Sequence, residues 1–210
     1  MAHTNQPKII TKANKMTYME KFFEIFKQNI KTERLEMRIL APTPENAKII
    51  WDVLKNENPQ DFKYMYYSMT HNSYLPESLQ ETQDIMTRDN EYKNGCTYYI
   101  FNDNKFIGYM RIHFWAESRT LQCASVWFIK SAWGKGFNTE IHNKLEDLAF
   151  NKLHVNRICR QTMAGNLASK KSIESGGYHL DGIDRQSNRM PDGTFMDHLM
   201  FSKLLCEYNK

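Results

Sequence analysis

Residues 127–140 read Trp127-Phe128-Ile129-Lys130-Ser131-Ala132-Trp133-Gly134-Lys135-Gly136-Phe137-Asn138-Thr139-Glu140, and a change of period inside this stretch decides the fold. Up to Ile129 the residues follow a strand. From Phe137 the apolar residues fall at Ile141, Leu145, Leu148 and Ala149, which predicts one helix over residues 137–152. A strand that passes through a glycine turn into a helix can aim several backbone N–H groups at one point, and the helix dipole adds roughly half a positive charge there. A pyrophosphate would sit in such a turn. A Walker loop needs GxxxxGK[ST], and Gly134-Lys135-Gly136 is followed by Phe137; a dinucleotide fingerprint needs GxGxxG, and Thr139 holds its last place. The turn alone leaves two readings, an anion cradle and an ordinary connection.

Upstream of this stretch the period is two. Residues 97–101, the turn Asn102-Asp103-Asn104-Lys105 and residues 106–115 predict a hairpin, with a further strand over residues 121–129. Earlier still, Arg34 to Leu40 alternates as a strand, Pro44 opens a helix through Trp51 and Leu54, and a second helix runs over residues 76–92. Downstream come a strand over residues 155–161, a short helix over residues 167–175 stopped by Gly176-Gly177, and strands over residues 178–184 and 197–204. Residues 1–18 are expected to be a flexible tail. Phe22, Phe23, Phe26 and Ile30 share one face of an amphipathic helix over residues 19–31, and residues 32–208 form the main domain. The class is α+β.

At 210 residues and 41% hydrophobic content the chain can bury one sizeable core. Its net charge of +4 is dispersed rather than gathered into a stripe, which argues against nucleic acid as a partner. Cys96, Cys123, Cys159 and Cys206 form no CxxC pair, so no metal site is predicted and a cytoplasmic setting is expected. No long apolar run or signal-peptide pattern suggests a membrane.

Trp133 to Glu140 resembles the acetyl-CoA pyrophosphate loop of the GNAT superfamily of N-acetyltransferases, whose pattern is Q/R-x-x-G-x-G/A. Gly136 matches the first glycine, whereas Trp133 stands at the Q/R place and Asn138 at the final small residue. The RimJ/RimL-type branch continues with Thr-Glu, as here. Four further segments resemble that branch in order and spacing: Thr32-Glu33-Arg34-Leu35, Val155 to Ile158, Asn166-Leu167-Ala168-Ser169 with Gly177-Tyr178, and Gly193 to Asp197 with Phe201-Ser202.

The resemblance implies a GNAT fold: a mixed, mostly antiparallel sheet of about seven strands with flanking helices and a V-shaped opening between two parallel strands. Acetyl-CoA would be the co-substrate, with Trp133, Gly134, Lys135, Gly136, Phe137, Asn138 and Thr139 holding its pyrophosphate. The backbone near Trp127 and Phe128 would face the thioester carbonyl. Asn166 would contact the pantetheine arm or serve as a helix cap, and Ser169 or Ser172 would assist the leaving thiolate, because Ile173 stands where many relatives place a tyrosine. Cys123 stands where the branch often has a glutamate base, which leaves Glu117, His113 and Glu140 as replacements. Tyr64, Tyr66, Tyr67, Tyr74 and Trp115 fall where the acceptor wall forms, and each is equally a core candidate. An α-amine, with a pKa near about 8, needs less help in losing its proton than a lysine near about 10.4. The implied activity is acetyl transfer to a primary amine of a protein N-terminus or small molecule by a monomer or homodimer. An aminoacyl-nucleotide acceptor, as in the similar microcin C self-immunity enzymes, is one alternative; a non-catalytic acyl-CoA-binding module is the other.

Overall fold

The computed structural model describes residues 16–64 and 73–208. Residues 1–15 of the expected tail, and Tyr66 and Tyr67, lie outside the described residues.

Helix α1, Tyr18–Phe26, opens on a reciprocal cap. The Thr17 hydroxyl accepts the Glu20 N–H at 3.2 Å, and the Glu20 carboxylate accepts the Thr17 N–H at 2.6 Å. Phe22 and Phe26 are fully buried, and Phe22 stacks on Phe114 at 5.2 Å. The helix stops five residues before the expected 31. The Phe26 carbonyl, which would accept from the next turn, is taken instead by the Tyr98 hydroxyl and the Cys96 thiol. Ile30 therefore joins a short strand β1, Ile30–Lys31, paired with β2, Glu36–Arg38.

Thr43 caps α2, Pro44–Leu54, and Ser78 caps α3, Leu79–Asn90. Strands β3, Gly95–Asn102, and β4, Lys105–Trp115, meet at Asp103 and Asn104, both left-handed (φ 48° and 60°), as a two-residue hairpin requires. Strand β5, Thr120–Phe128, precedes α4, Phe137–Glu146, which continues through a π-helical turn to Leu153. The chain closes with β6, Arg157–Met163, α5, Leu167–Ser175, β7, His179–Arg189, β8, Phe195–Leu204, and a one-turn α6, Leu205–Tyr208. The sheet has eight strands in the order β1-β2-β3-β4-β5-β6-β8-β7, one more than expected because of β1. Every pair is antiparallel except β5 and β6.

Successive strand residues face opposite sides of a sheet. Arg111 reaches Asp89 of α3, whereas Cys123, the cross-strand partner of Ile112, reaches His142 of α4. Helices α3 and α4 thus cover opposite faces, and the parallel pair lies between them.

Candidate active site

The parallel ladder is short. It runs from Thr120–Arg157 to Cys123–Arg160 and ends, although β5 continues to Phe128 and β6 to Met163. On their outer edges β5 stays paired with β4, and β6 with β8 as far as Met163–His198. Between Arg111–Ser125 and Ile112–Cys123 the β4–β5 register shifts, leaving Ala124 as an extra residue. Such a bulge bends its strand, and here it sits where the two strands part. The resulting cavity of about 480 Å³ is lined by Ala124, Ser125 and Val126 of β5, Gln161 to Met163 of β6, Asn166, Ser169 and Ile173, and Arg111, Arg189 and His198.

Beyond Ile129 a 3₁₀ turn, Lys130–Ala132, leads into the glycine turn. Gly134 and Gly136 have φ of 71° and 77°, in the region where a side chain is strained. Gly136 is the N-cap of α4 and offers no side-chain acceptor to the helix. Among the described residues, none accepts the amides of residues 134–139. Amides left without an acceptor at a helix N-terminus are the kind of donors that an anion can take up. The loop is fastened from the start of the domain. Glu140 accepts from the Thr32 hydroxyl, from the Arg34 amide at 2.8 Å and from Arg34 Nε at 2.6 Å, while Arg34 Nη1 donates to the Lys135 carbonyl at 2.9 Å. A groove lined by Thr139, His142, Lys171, Ser172 and Arg160 continues from this loop between α4 and α5, and Arg160 also borders the cavity.

The parallel pair β5–β6, which splays beyond Cys123–Arg160, is the parallel pair that the resemblance implied. The acetyltransferase (GNAT) domain model matches residues 34–179. The chain belongs to the GNAT acetyltransferase family. It is an acetyl-CoA-dependent N-acetyltransferase of that family. It is 29% identical over 157 residues to the Bacillus subtilis (strain 168) protein named "Probable N-acetyltransferase YjcK", covering 72% of this chain and 84% of that one. Two solved structures share its fold. The microcin self-immunity acetyltransferase MccE, in complex with acetyl-CoA and AMP, has a TM-score of 0.72 at 17% identity, covering 86% of this chain and 98% of its own. RimL, a ribosomal-protein alpha-N-acetyltransferase in complex with coenzyme A, has a TM-score of 0.69 at 15% identity, covering 84% and 97%.

Within this GNAT frame the structure gathers some of the residues expected at the site and scatters others. Ser169 and Asn166 border the cavity; the Asn166 side-chain oxygen Oδ1 also caps α5 by accepting the Ser169 N–H at 3.1 Å. Ser172 faces the groove instead, where its hydroxyl accepts from Asn138 Nδ2 at 3.0 Å. Trp127 is buried against Tyr109, Phe62 and Phe106, and Phe128 packs on Phe137; the edge of β5 that borders the cavity lies upstream, at Ala124 to Val126. The exposed indole of Trp133 donates to the Phe128 carbonyl at 2.8 Å, with the Lys130 amine over its ring. Tyr64 lines the cavity, whereas Tyr74 packs on the core.

Glu117 and Trp115 stand at the β4–β5 turn, beside Thr120 at the far end of β5 from the opening. His113 pairs with Gln122 and sets its ring against Tyr92 at 4.7 Å. None of the three borders the cavity. Glu140 is the loop fastener described above. Sequence reasoning missed His198, on β8 opposite Met163, as it missed the arginines that border the cavity. Burial lowers the His198 pKa, partly offset by Asp184, so the imidazole is neutral at pH 7.

Under the parallel ladder, burial pushes Cys123 up to about 12, which rules its thiol out as a base. Burial, then Arg160 and Lys203, hold His142 well below 6.5. His142 is thus neutral in the fold, while the unfolded chain binds a proton near pH 6.5. Its contribution to stability is complete above that pH and drains as pH falls below it, by up to about 1.4 kcal/mol per pH unit. Urea midpoints at successive acidic pH values should fall more steeply for the native chain than for His142→Phe; parallel lines would refute this.

Proposed function

We propose that the protein transfers acetyl from acetyl-CoA to the α-amine of a small molecule or protein N-terminus, as a RimJ/RimL-type member of its family. The observation that carries this reading is the row of unclaimed amides at residues 134–139, continuous through the α4–α5 groove with the splayed strands. The diphosphate would lie on those amides and the pantetheine would run along the groove. The thioester carbonyl would meet the β5 backbone at residues 124–126, a preorganised donor for the oxygen that gains charge. The amine would enter from the side of Arg111, Tyr64 and His198, and neutral His198 is suited to take its proton.

A panel of N-terminal peptides, polyamines, aminoglycosides and aminoacyl nucleotides, incubated with acetyl-CoA, tests this through release of CoA thiol and the mass gain of one acetyl group. Turnover should favour α-amines. His198→Gln should lower kcat/KM roughly a hundredfold, and the native acid limb, below pH 6.5 because the His198 pKa is lowered, should vanish in it. Tight acetyl-CoA binding without acetylation of any acceptor would instead support the non-catalytic module. A second reading of the acceptor rests on Arg111 and Arg189, which border the cavity, Arg111 with its Nη1 3.2 Å from Asp89 Oδ1; no carboxylate side chain lines that cavity among the described residues. That lining favours an amine carrying a phosphate or carboxylate, such as an aminoacyl nucleotide.

A further inference from the structure

Among the described residues, Arg160 is a buried cation without an ion-pair partner. Its residue is 5% exposed, yet among the described residues no side chain or carbonyl accepts a hydrogen bond from its guanidinium and no carboxylate lies within ion-pair distance. The carboxylate that acts on it, Glu146, is engaged by Lys203 at 2.7 Å and by the Tyr178 hydroxyl at 2.9 Å. The guanidinium has only the Tyr178 ring, 5.2 Å away. A buried charge without a partner is costly, and the guanidinium donors that no protein group accepts stay open to whatever fills the spaces beside them. Space is open to this side chain in two directions, the cavity and the groove, and it borders both. It stands on the last rung of the parallel ladder, opposite Cys123, where the strands part.

We propose that Arg160 takes up the negative charge that arises on the coenzyme's sulfur when the thioester breaks. This rests on the acetyl-transfer reading above. The amine lone pair forms the C–N bond, the C–S bond breaks, and its electron pair goes to sulfur. The surplus ammonium proton passes to His198. The thiolate leaves beside Arg160 and is protonated by solvent after release. Ile173, on the same cavity wall, has no proton to offer, and Ser169 is a far weaker acid than a thiol. A fixed cation does what neither can.

The groups facing Arg160 are Cys123 from β5, His142 and Glu146 from α4, Lys171 from α5, Tyr178 before β7 and Lys203 from β8. Burial raises Cys123 and Tyr178 and lowers His142, so these three keep their neutral forms at and somewhat above pH 7. The Glu146–Lys203 pair cancels its own charge.

The test is calorimetric binding of CoA and of desulfo-CoA to the full chain, with thiolate absorbance of bound CoA followed through the free-thiol pKa of about 8.5. The bound thiol should titrate at least about one unit lower. CoA should then gain on desulfo-CoA about tenfold per unit of that shift as pH rises. Arg160→Gln should abolish the shift and Arg160→Lys should retain part of it. A native bound thiol that titrates at or above the free value overturns the proposal without recourse to any variant, as does a shift that survives Arg160→Gln. Equal pH dependence of CoA and desulfo-CoA overturns the role of Arg160 alone, whereas no binding of either removes the acetyl-CoA reading as well.

Discussion

Gly136→Asp should weaken coenzyme A binding about a hundredfold or more while Gly136→Asn weakens it less than about tenfold. Both side chains tolerate the left-handed backbone (φ 77°) better than most. A Cβ at this position meets only Arg34 Nη2, at 3.6 Å, so neither variant is excluded by space. What separates them is a carboxylate set among the amides that would hold the diphosphate. Two unit charges about 4 Å apart at a protein surface repel by roughly 4 kcal/mol. Salt screening reduces this, and about 2.8 kcal/mol is enough for a hundredfold. Calorimetry on the two variants at equal ionic strength decides it; equal affinities would place the diphosphate elsewhere.

Trp127→Ala should be the most destabilising single truncation in the core. Its side chain is 2% exposed, stacked on Tyr109 at 5.5 Å and 11°, and met edge-on by Phe62 and Phe106 at 5.6 and 5.9 Å. Removing a large buried aromatic residue costs about 3–5 kcal/mol, which in a chain of this size lowers Tm by roughly 6–20 °C. Trp133→Ala is the control. That indole is 42% exposed, and its deletion removes one hydrogen bond to Phe128, so its effect should stay near about 1 kcal/mol. Equal thermal shifts for the two would refute this division between core and loop tryptophan.

Local chemistry made much of this legible in the sequence. Gly134 and Gly136 mark a turn with positive φ, Asn102 to Lys105 mark a tight hairpin, and Asn166 marks the start of α5. The end of α1 was not legible, because Ile30 fits the helical spacing of Phe22 and Phe26 as well as it fits a strand. Tyr98, far along the chain, decides by claiming the Phe26 carbonyl. Glu117, His113 and Trp115 precede the glycine loop closely in sequence, but β5 runs away from its turn toward the opening and leaves them at the wrong end or off the cavity wall. His198 and Arg160 belong to no motif. Their significance comes from strand pairing: His198 sits opposite the last residue of β6, and Arg160 on the last parallel rung.

The bond set of Thr32 and Arg34 on Glu140 and Lys135 joins segments more than a hundred positions apart. The cradle therefore draws on the start of the domain as well as its middle, and its shape depends on the opening strands being docked. Any ligand that prefers the intact cradle must stabilise that docking by an equal free energy. Occupancy at the glycine turn should thus slow amide hydrogen exchange in residues 30–38, far from the phosphates in sequence.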